Sequence, residues 1–405
     1  MPASRTQFVT VLAFAAIAAV ACSGLVTEAP ADGDVFDAPI DGLSPAELAA
    51  FVRGDVEFAR RFAPATGLGP IFNNVSCAAC HGGDGRGDLA NALRRIGSPG
   101  DDFLHSLGGP QIQDKAIAGA EPETVPAGVA VSTRLPPPVF GMGLIEAIPE
   151  ETILARADPD DRDGDGISGR PNWVHAGAFV PGHEPGGGPG LKLGRFGRKA
   201  QNSNILQQVA EAYHQDMGIT SEFLPLENRN PRSSIPIEAI DRVPDPEISA
   251  ATVLAVTHYL RALAPPAPGS DTPGNIEGRA LFGSVNCSSC HTPSMQTGTS
   301  SIPALSNRTV RLYSDLLLHD MGDALADGRP DGGATGREWR TAPLWGLRLM
   351  RRFLDGRALL MHDGRARTIE EAILMHGGEA QASRDAFVGL TASQKRALIE
   401  YVESR

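Results

Sequence analysis

Two short motifs carry the most specific chemistry in this sequence: Cys77-Ala-Ala-Cys80-His81 and Cys287-Ser-Ser-Cys290-His291. Cys-x-x-Cys-His is the attachment signature of c-type haem. Its two thiols add to the porphyrin vinyl groups, and the histidine after the second cysteine reaches the iron. The chain has 5 cysteines, and the fifth, Cys22, lies in the N-terminal segment. None remains for a structural disulfide. A zinc site would keep its Cys-x-x-Cys pairs within a few tens of residues, whereas Cys80 and Cys287 are 207 positions apart. A thiol redox pair needs neither the histidine nor the duplication. Two covalently bound haem c groups, with iron on His81 and His291, are the expectation.

A third pattern, Asp161-Arg-Asp163-Gly-Asp165-Gly166, matches the start of a calcium loop. Its twelfth position is Asn172 instead of the bidentate glutamate. Calcium here competes with a plain solvated acidic turn.

The elements that must position these groups repeat. Phe72-x-x-Val75-x-Cys77 and Phe282-x-x-Val285-x-Cys287 precede the two motifs. A capping box at Ser44-Pro45-Ala46-Glu47 opens a helix before the first motif, and Asn275–Leu281 precedes the second. Amphipathic helices over Ile248–Leu263 and over Ala392–Ser404, the latter capped by Thr391 and Gln394, close the two halves. A helix before the motif and one at the end, crossed around a haem, is the class-I cytochrome c plan. The expected fold is mainly α, with two cytochrome c-like domains at 44–264 and 275–405. Loop-rich insertions enlarge the first, and Pro-rich 265–274 links the two. The 46 glycines, 32 prolines and 5% aromatics fit a loop-rich chain packed around large flat cofactors.

Met1–Ala21 reads as a secretory signal, with Arg5, an apolar run from Phe8 to Val20 and small residues before Cys22. Cys22 is a candidate lipid anchor, followed by a flexible spacer to residue 43. Export to the periplasm, or attachment there as an outer-membrane lipoprotein, follows. A net charge of -12 argues against nucleic acid as a partner.

Further segments carry a resemblance. Trp339–Leu344, Leu360–Gly364 and Thr368–Ile373 resemble the bacterial di-haem cytochrome c peroxidase superfamily. With Phe140–Pro149, Leu193–Ala200, Asp216–Thr220, His319–Gly322 and His376–Ala380, nearly the whole chain from Phe51 resembles its di-haem oxidoreductase family. The resemblance implies a peroxidase that takes electrons from a small redox protein, a cytochrome c or cupredoxin, and reduces hydrogen peroxide or a similar oxidant. The alternatives are a non-catalytic electron-transfer cytochrome and a high-valent-iron oxidase of a protein or thiol substrate, for which Tyr213 is the residue to watch. The peroxidases place a ligand fourteen residues after the His-Asp-Gly histidine. Counted from His362, that position is His376, with Met375 as rival. Aligning the halves puts Tyr213 at the corresponding place in domain 1, with His214, Met217, His105, Met142 and His175 as other candidates. A Gln/Glu pair spaced by ten above the active haem is matched by Gln113 and Glu123, and equally by Gln111 and Glu121. Arg340 is the expected partner of a haem propionate, and His362 and His319 are expected as polar groups around the second haem.

Overall fold

A computed structural model describes residues 35–405 except Arg86 and Asp271. The expected signal segment and Cys22 lie outside the described residues. No helix among those described is long and apolar enough to cross a membrane.

Each half is built on one helix crossing. In the first, α1 (Pro45–Ala59), opened by the Ser44/Glu47 capping box, crosses the closing helix Ala250–Ala262. The crossing is close because Gly54 lacks a side chain: a Cβ there would lie 2.3 Å from Ala255 O and 2.6 Å from the Tyr259 Cβ. The second half repeats this in detail. Pro273–Ser284 crosses Ala392–Glu403, and a Cβ on Gly278 would lie 2.2 Å from Ala397 O and 2.5 Å from the Tyr401 Cβ. Four residues after each glycine, Phe58 and Phe282 pack on Tyr259 and Tyr401, with ring centroids 5.4 and 5.6 Å apart. Those phenylalanines also face His81 and His291, at 6.2 and 6.5 Å. Phe58 is therefore the counterpart of Phe282. Phe72, suggested by the flanking repeat, sits instead in a two-residue strand paired with Lys115.

Between α1 and its closing partner runs α2 (Ile205–Met217), capped by Asn204, and the closing partner itself is α3 (Ala250–Ala262). The second half contains α4 (Pro273–Ser284), α5 (Leu347–Phe353), α6 (Ile369–Leu374) and α7 (Ala392–Glu403). The strands are short. β1 (Leu93–Gly97) pairs antiparallel with β2 (Gln111–Ile112) and β3 (Ala130–Arg134), and β4 (Leu318–Asp320) pairs with β5 (Glu338–Arg340).

Two expectations change. Residues 35–43 are not spacer: Phe36 is 3% exposed and stacks on Phe140, and Ile40 N donates to Ala262 O. The halves also do not divide cleanly at the linker. Met295, Leu305, Leu312 and Leu317 join the core of the first half, while Leu135 joins that of the second. Buried ions reinforce the seam. Lys199 Nζ lies 2.8 Å from Asp327, and Arg134 lies 2.5 Å from Asp331, all with side chains at most 5% exposed. Breaking one such pair leaves a buried charge uncompensated, so the seam resists single-residue loss poorly.

Candidate functional site

Two cavities, holding about 2020 and 1530 Å³ of space partly open to solvent, lie against the two motifs. Cys77, Cys80 and His81 line the first, and Cys287, Cys290 and His291 line the second. All four cysteines are free. Burial pushes Cys80 and Cys287 up to about 12, which keeps them as thiols and is the opposite of a reactive redox pair. Burial also pushes His81 and His291 down to about 4, so both imidazoles are neutral, the form that binds a metal. His291 Nδ1 is held by Tyr313 O at 3.0 Å, which leaves Nε2 for the cavity. His81 is buried at Nδ1, and weak backbone hydrogen bonding from Pro137 and Gly85 only partly offsets that burial.

The cavities share a wall. Arg198, Arg340, Ala342, Pro343 and Leu347 line both. Arg340 donates only to the carbonyls of Gly197 and Thr341, and no carboxylate pairs with it among the described residues. Burial pulls its pKa down to about 10. A half-buried guanidinium that lines both cavities and is hydrogen-bonded only to carbonyls suits the propionates of a haem. Two thiols, one neutral imidazole and the guanidinium of Arg340 around each space fit such a group. Arg340→Leu should lower the midpoint potentials of both haems by on the order of tens of millivolts, because a nearby positive charge favours the reduced state. Spectroelectrochemistry reads this, and unchanged potentials would remove Arg340 from the propionate site.

The helices facing the two cavities differ. From α6 and the residues after it, Ile369, Ala372, Ile373 and His376 face the second cavity at i, i+3, i+4 and i+7. His376 Nδ1 is fixed on Ala372 O at 2.6 Å, and burial holds the ring below its usual pKa. Met375, the rival, does not line this cavity. From α2, Gln208, Glu211, Ala212 and Gln215 line the first cavity with the same spacing, joined by Val209, Asp216 and Met217. The matched spacing puts Gln215, not Tyr213, at the place of His376. Tyr213 instead packs edge-on against Phe62, and its hydroxyl has no hydrogen-bond partner among the described residues.

The other candidates for domain 1 divide similarly. Met142 and Met217 line the cavity. His214 is bound to Leu226 O, His105 stacks on Phe103, and His175 is exposed in a surface strand.

Glu211 accepts from Gln207 Nε2 at 2.7 Å and Asn202 Nδ2 at 3.2 Å, and burial raises its pKa. Glu211 and Arg95 both line the first cavity. Asp216, pushed up to about 6 by burial, is held by Gln111 Nε2 at 2.5 Å. Gln113 and Glu123 do touch, backbone N to carboxylate at 2.8 Å, but neither lines either of these two cavities. Glu121 is exposed and bound by Ser233; only Gln111 of the four reaches the first cavity. Register within a loop is not readable from spacing alone, and the cavity-facing acids come from α2.

Around the second cavity, His319 and His362 both line the wall. His362 stacks on Trp339 at 3.8 Å and 9°, with Lys199 Nζ 4.5 Å from the same indole.

A family profile described as "Di-haem oxidoreductase, putative peroxidase" matches residues 17–94 and 119–405. The chain belongs to the di-haem oxidoreductase family. Among solved structures it is similar to the hydrazine synthase of Kuenenia stuttgartiensis, at 15% identity, TM-score 0.40 and coverage of 94% of this chain and 96% of that one. It is also similar to a MauG-like protein associated with microbial copper homeostasis, at 14% identity, TM-score 0.39 and 94% coverage of each. No curated protein sequence matches it. As a di-haem oxidoreductase, the chain accounts for two cavities, each with its own motif.

The acidic turn takes a different shape from the sequence register. Asp158, Asp161 and Asp163 bring carboxylate oxygens within 4.8 Å of one another. Asp165 accepts from Ile167 N instead, and Asn172 is buried on Lys199 O and Asp331 O.

Proposed function

We propose that this di-haem oxidoreductase is an exported c-type enzyme that reduces hydrogen peroxide or a similar oxidant with electrons from a small redox protein. The contrast between the two cavity-facing stripes carries the reading. An apolar stripe ending in His376 closes one site; a polar stripe with Glu211, Gln215 and Asp216 leaves the other open to a small polar molecule. Bound haem supplies an iron that accepts and passes on single electrons.

Cys77 and Cys80, and Cys287 and Cys290, would hold the two groups through thioethers, with His81 and His291 as proximal ligands. His376 would close the sixth position at the second, which suits it to receive electrons. In the first cavity Glu211 would take and return a proton at the bound oxidant, and Arg95 would steady the negative charge that develops. Export rests on the sequence of residues 1–21, and a membrane tether on Cys22.

Visible spectra of oxidised, half-reduced and fully reduced protein test this, followed by addition of peroxide. One high-spin haem and fast reoxidation of the half-reduced form support the enzyme. Two low-spin haems and no reaction would make it an electron-transfer cytochrome. Calcium at Asp158, Asp161 and Asp163 is a separate proposal: calorimetry on chelated protein should show binding heat and a higher melting temperature, and no heat would leave a solvated turn.

A further inference from the structure

The turn that follows His376 is held by contacts with the 319–322 segment, of which His319 and Met321 also line the second cavity. His376-Gly377-Gly378-Glu379 lies backbone on backbone against His319-Asp320-Met321-Gly322. Gly378 has φ +54°, and a Cβ there would lie 2.1 Å from Asp320 O. One on Gly322 would meet Gly378 N at 3.0 Å, and one on Gly377 would meet Met321 O at 3.1 Å.

Side chains then lock the two turns together. His319 is 2% exposed, with Nδ1 2.7 Å from Glu379 Oε2 and Nε2 2.8 Å from Asp315 Oδ2. A neutral imidazole has only one donor, so two carboxylate acceptors require the doubly protonated ring. Glu379 also accepts from Ser168 N at 3.0 Å, Ser168 Oγ at 2.7 Å and Asp320 N at 3.1 Å. Asp315 N donates to Cys290 O at 2.9 Å, and His319 Nδ1 sits 3.7 Å from Cys290 Sγ. A continuous polar chain thus runs from the second Cys-x-x-Cys-His motif to a point three residues beyond His376. Ser168 joins it from the first half, where Arg170 and Leu318 exchange both backbone hydrogen bonds.

We propose that Asp315, His319 and Glu379 form a positioning unit that keeps His376 seated in the cavity it lines with His291, and that Ser168 makes this seat depend on the packing of the two halves. The inference rests on the reading of His376 as an iron ligand. Its physical basis is the weakness of what else holds His376. α6 has only six residues, too few for a helix to stand unaided, and His376 lies past its end. The position of the ring is therefore set by where the next three residues are tied. Removing His319 leaves the buried Asp315 and the half-buried Glu379 without their shared cation, and the Glu379 turn must move to relieve them.

The test uses the full-length, haem-loaded protein. His319→Gln, Glu379→Gln and Ser168→Ala are compared with His376→Ala, after haem content and circular dichroism show equal folding. The readouts are the spin state of the second haem, its midpoint potential and the rate at which cyanide binds there. His319→Gln and Glu379→Gln should bind cyanide about tenfold faster or more, the effect of losing one charge-assisted hydrogen bond, with a partial high-spin signal. Ser168→Ala should show a smaller change in the same direction. If His376→Ala stays low-spin and six-coordinate, the ligand reading fails and this inference goes with it. If His376→Ala becomes high-spin while His319→Gln keeps the wild-type spectrum, potential and cyanide rate, the positioning unit is overturned and the ligand reading stands. Should His319→Gln not fold, Glu379→Gln decides: a wild-type cyanide rate there overturns the inference.

Discussion

Replacing His376 by alanine should turn the second haem from a closed low-spin centre into a high-spin centre that binds cyanide, with its midpoint potential raised by on the order of 100 mV. The expectation follows from the ring's surroundings. His376 Nδ1 is already committed to Ala372 O, so the ring can offer only Nε2. Burial holds it neutral, and neutral imidazole is a stronger donor than thioether, so its loss weakens stabilisation of the oxidised iron. No second imidazole among the described residues is positioned to replace it: His319 is held between two carboxylates and His362 is stacked flat on Trp339. Low-temperature electron paramagnetic resonance and potentiometry read the change. An unaltered low-spin spectrum would show that another residue closes the site, and the two stripes would lose the contrast on which the proposed function depends.

The parts of this molecule that were legible in the sequence are those whose chemistry or periodicity is local. Each Cys-x-x-Cys-His motif is five consecutive residues, and each lines one of the two cavities. The capping boxes at Ser44 and Thr391 need four each, and both form. The closing helices follow a 3.6-residue pattern and fall within a residue or two of expectation. His376 is reached by counting along a resemblance, and it lines the cavity with His291. What failed depended on tertiary placement. Phe72 and Phe282 share a spacing to cysteine, yet Phe58 is the residue in Phe282's place, because the helix crossing at Gly54 and Gly278 sets the frame and the first half has extra residues between helix and motif. Gln113 and Glu123 have the right separation, but the short strands around them turn their side chains toward Ile71 O and a backbone amide. The spacer ran too far because Phe36 finds Phe140, more than 100 residues away, and no local pattern reports that contact. The ion pairs at the seam, Lys199 with Asp327 and Arg134 with Asp331, join residues from opposite halves and leave no trace in either segment alone.

Glu211→Gln should lower peroxide reduction by roughly 10²- to 10³-fold, the usual share of a positioned acid–base group, while both haem spectra and the potentials stay near wild type. The amide keeps the size of the side chain and can still accept from Gln207 or Asn202, so the wall of the first cavity should survive. What it loses is the ability to take a proton. The pH dependence separates this from a structural effect. Burial is the largest influence on Glu211 and raises its pKa above the usual carboxylate value, against the opposing pull of Gln207, Arg95 and Asn202. A base must be ionised to act, so wild-type turnover should fall as pH drops through that raised pKa, and the limb should vanish in the glutamine variant. Stability should move the other way. An acid whose folded pKa is raised binds more protons folded than unfolded, so its penalty is absent below the unfolded pKa and grows as pH climbs to the folded one. Glu211→Gln should therefore melt higher than wild type at neutral pH and equally at pH near 4. Asp216→Asn supplies the comparison, since Asp216 lines the same cavity but is tied to Gln111. Loss of turnover there, with Glu211→Gln active, would move the proton-handling role further along α2 and leave the polar stripe as its basis. If both variants turn over peroxide at the wild-type rate with the wild-type pH profile, the stripe has no part in the chemistry, and the first cavity is a site of electron transfer alone.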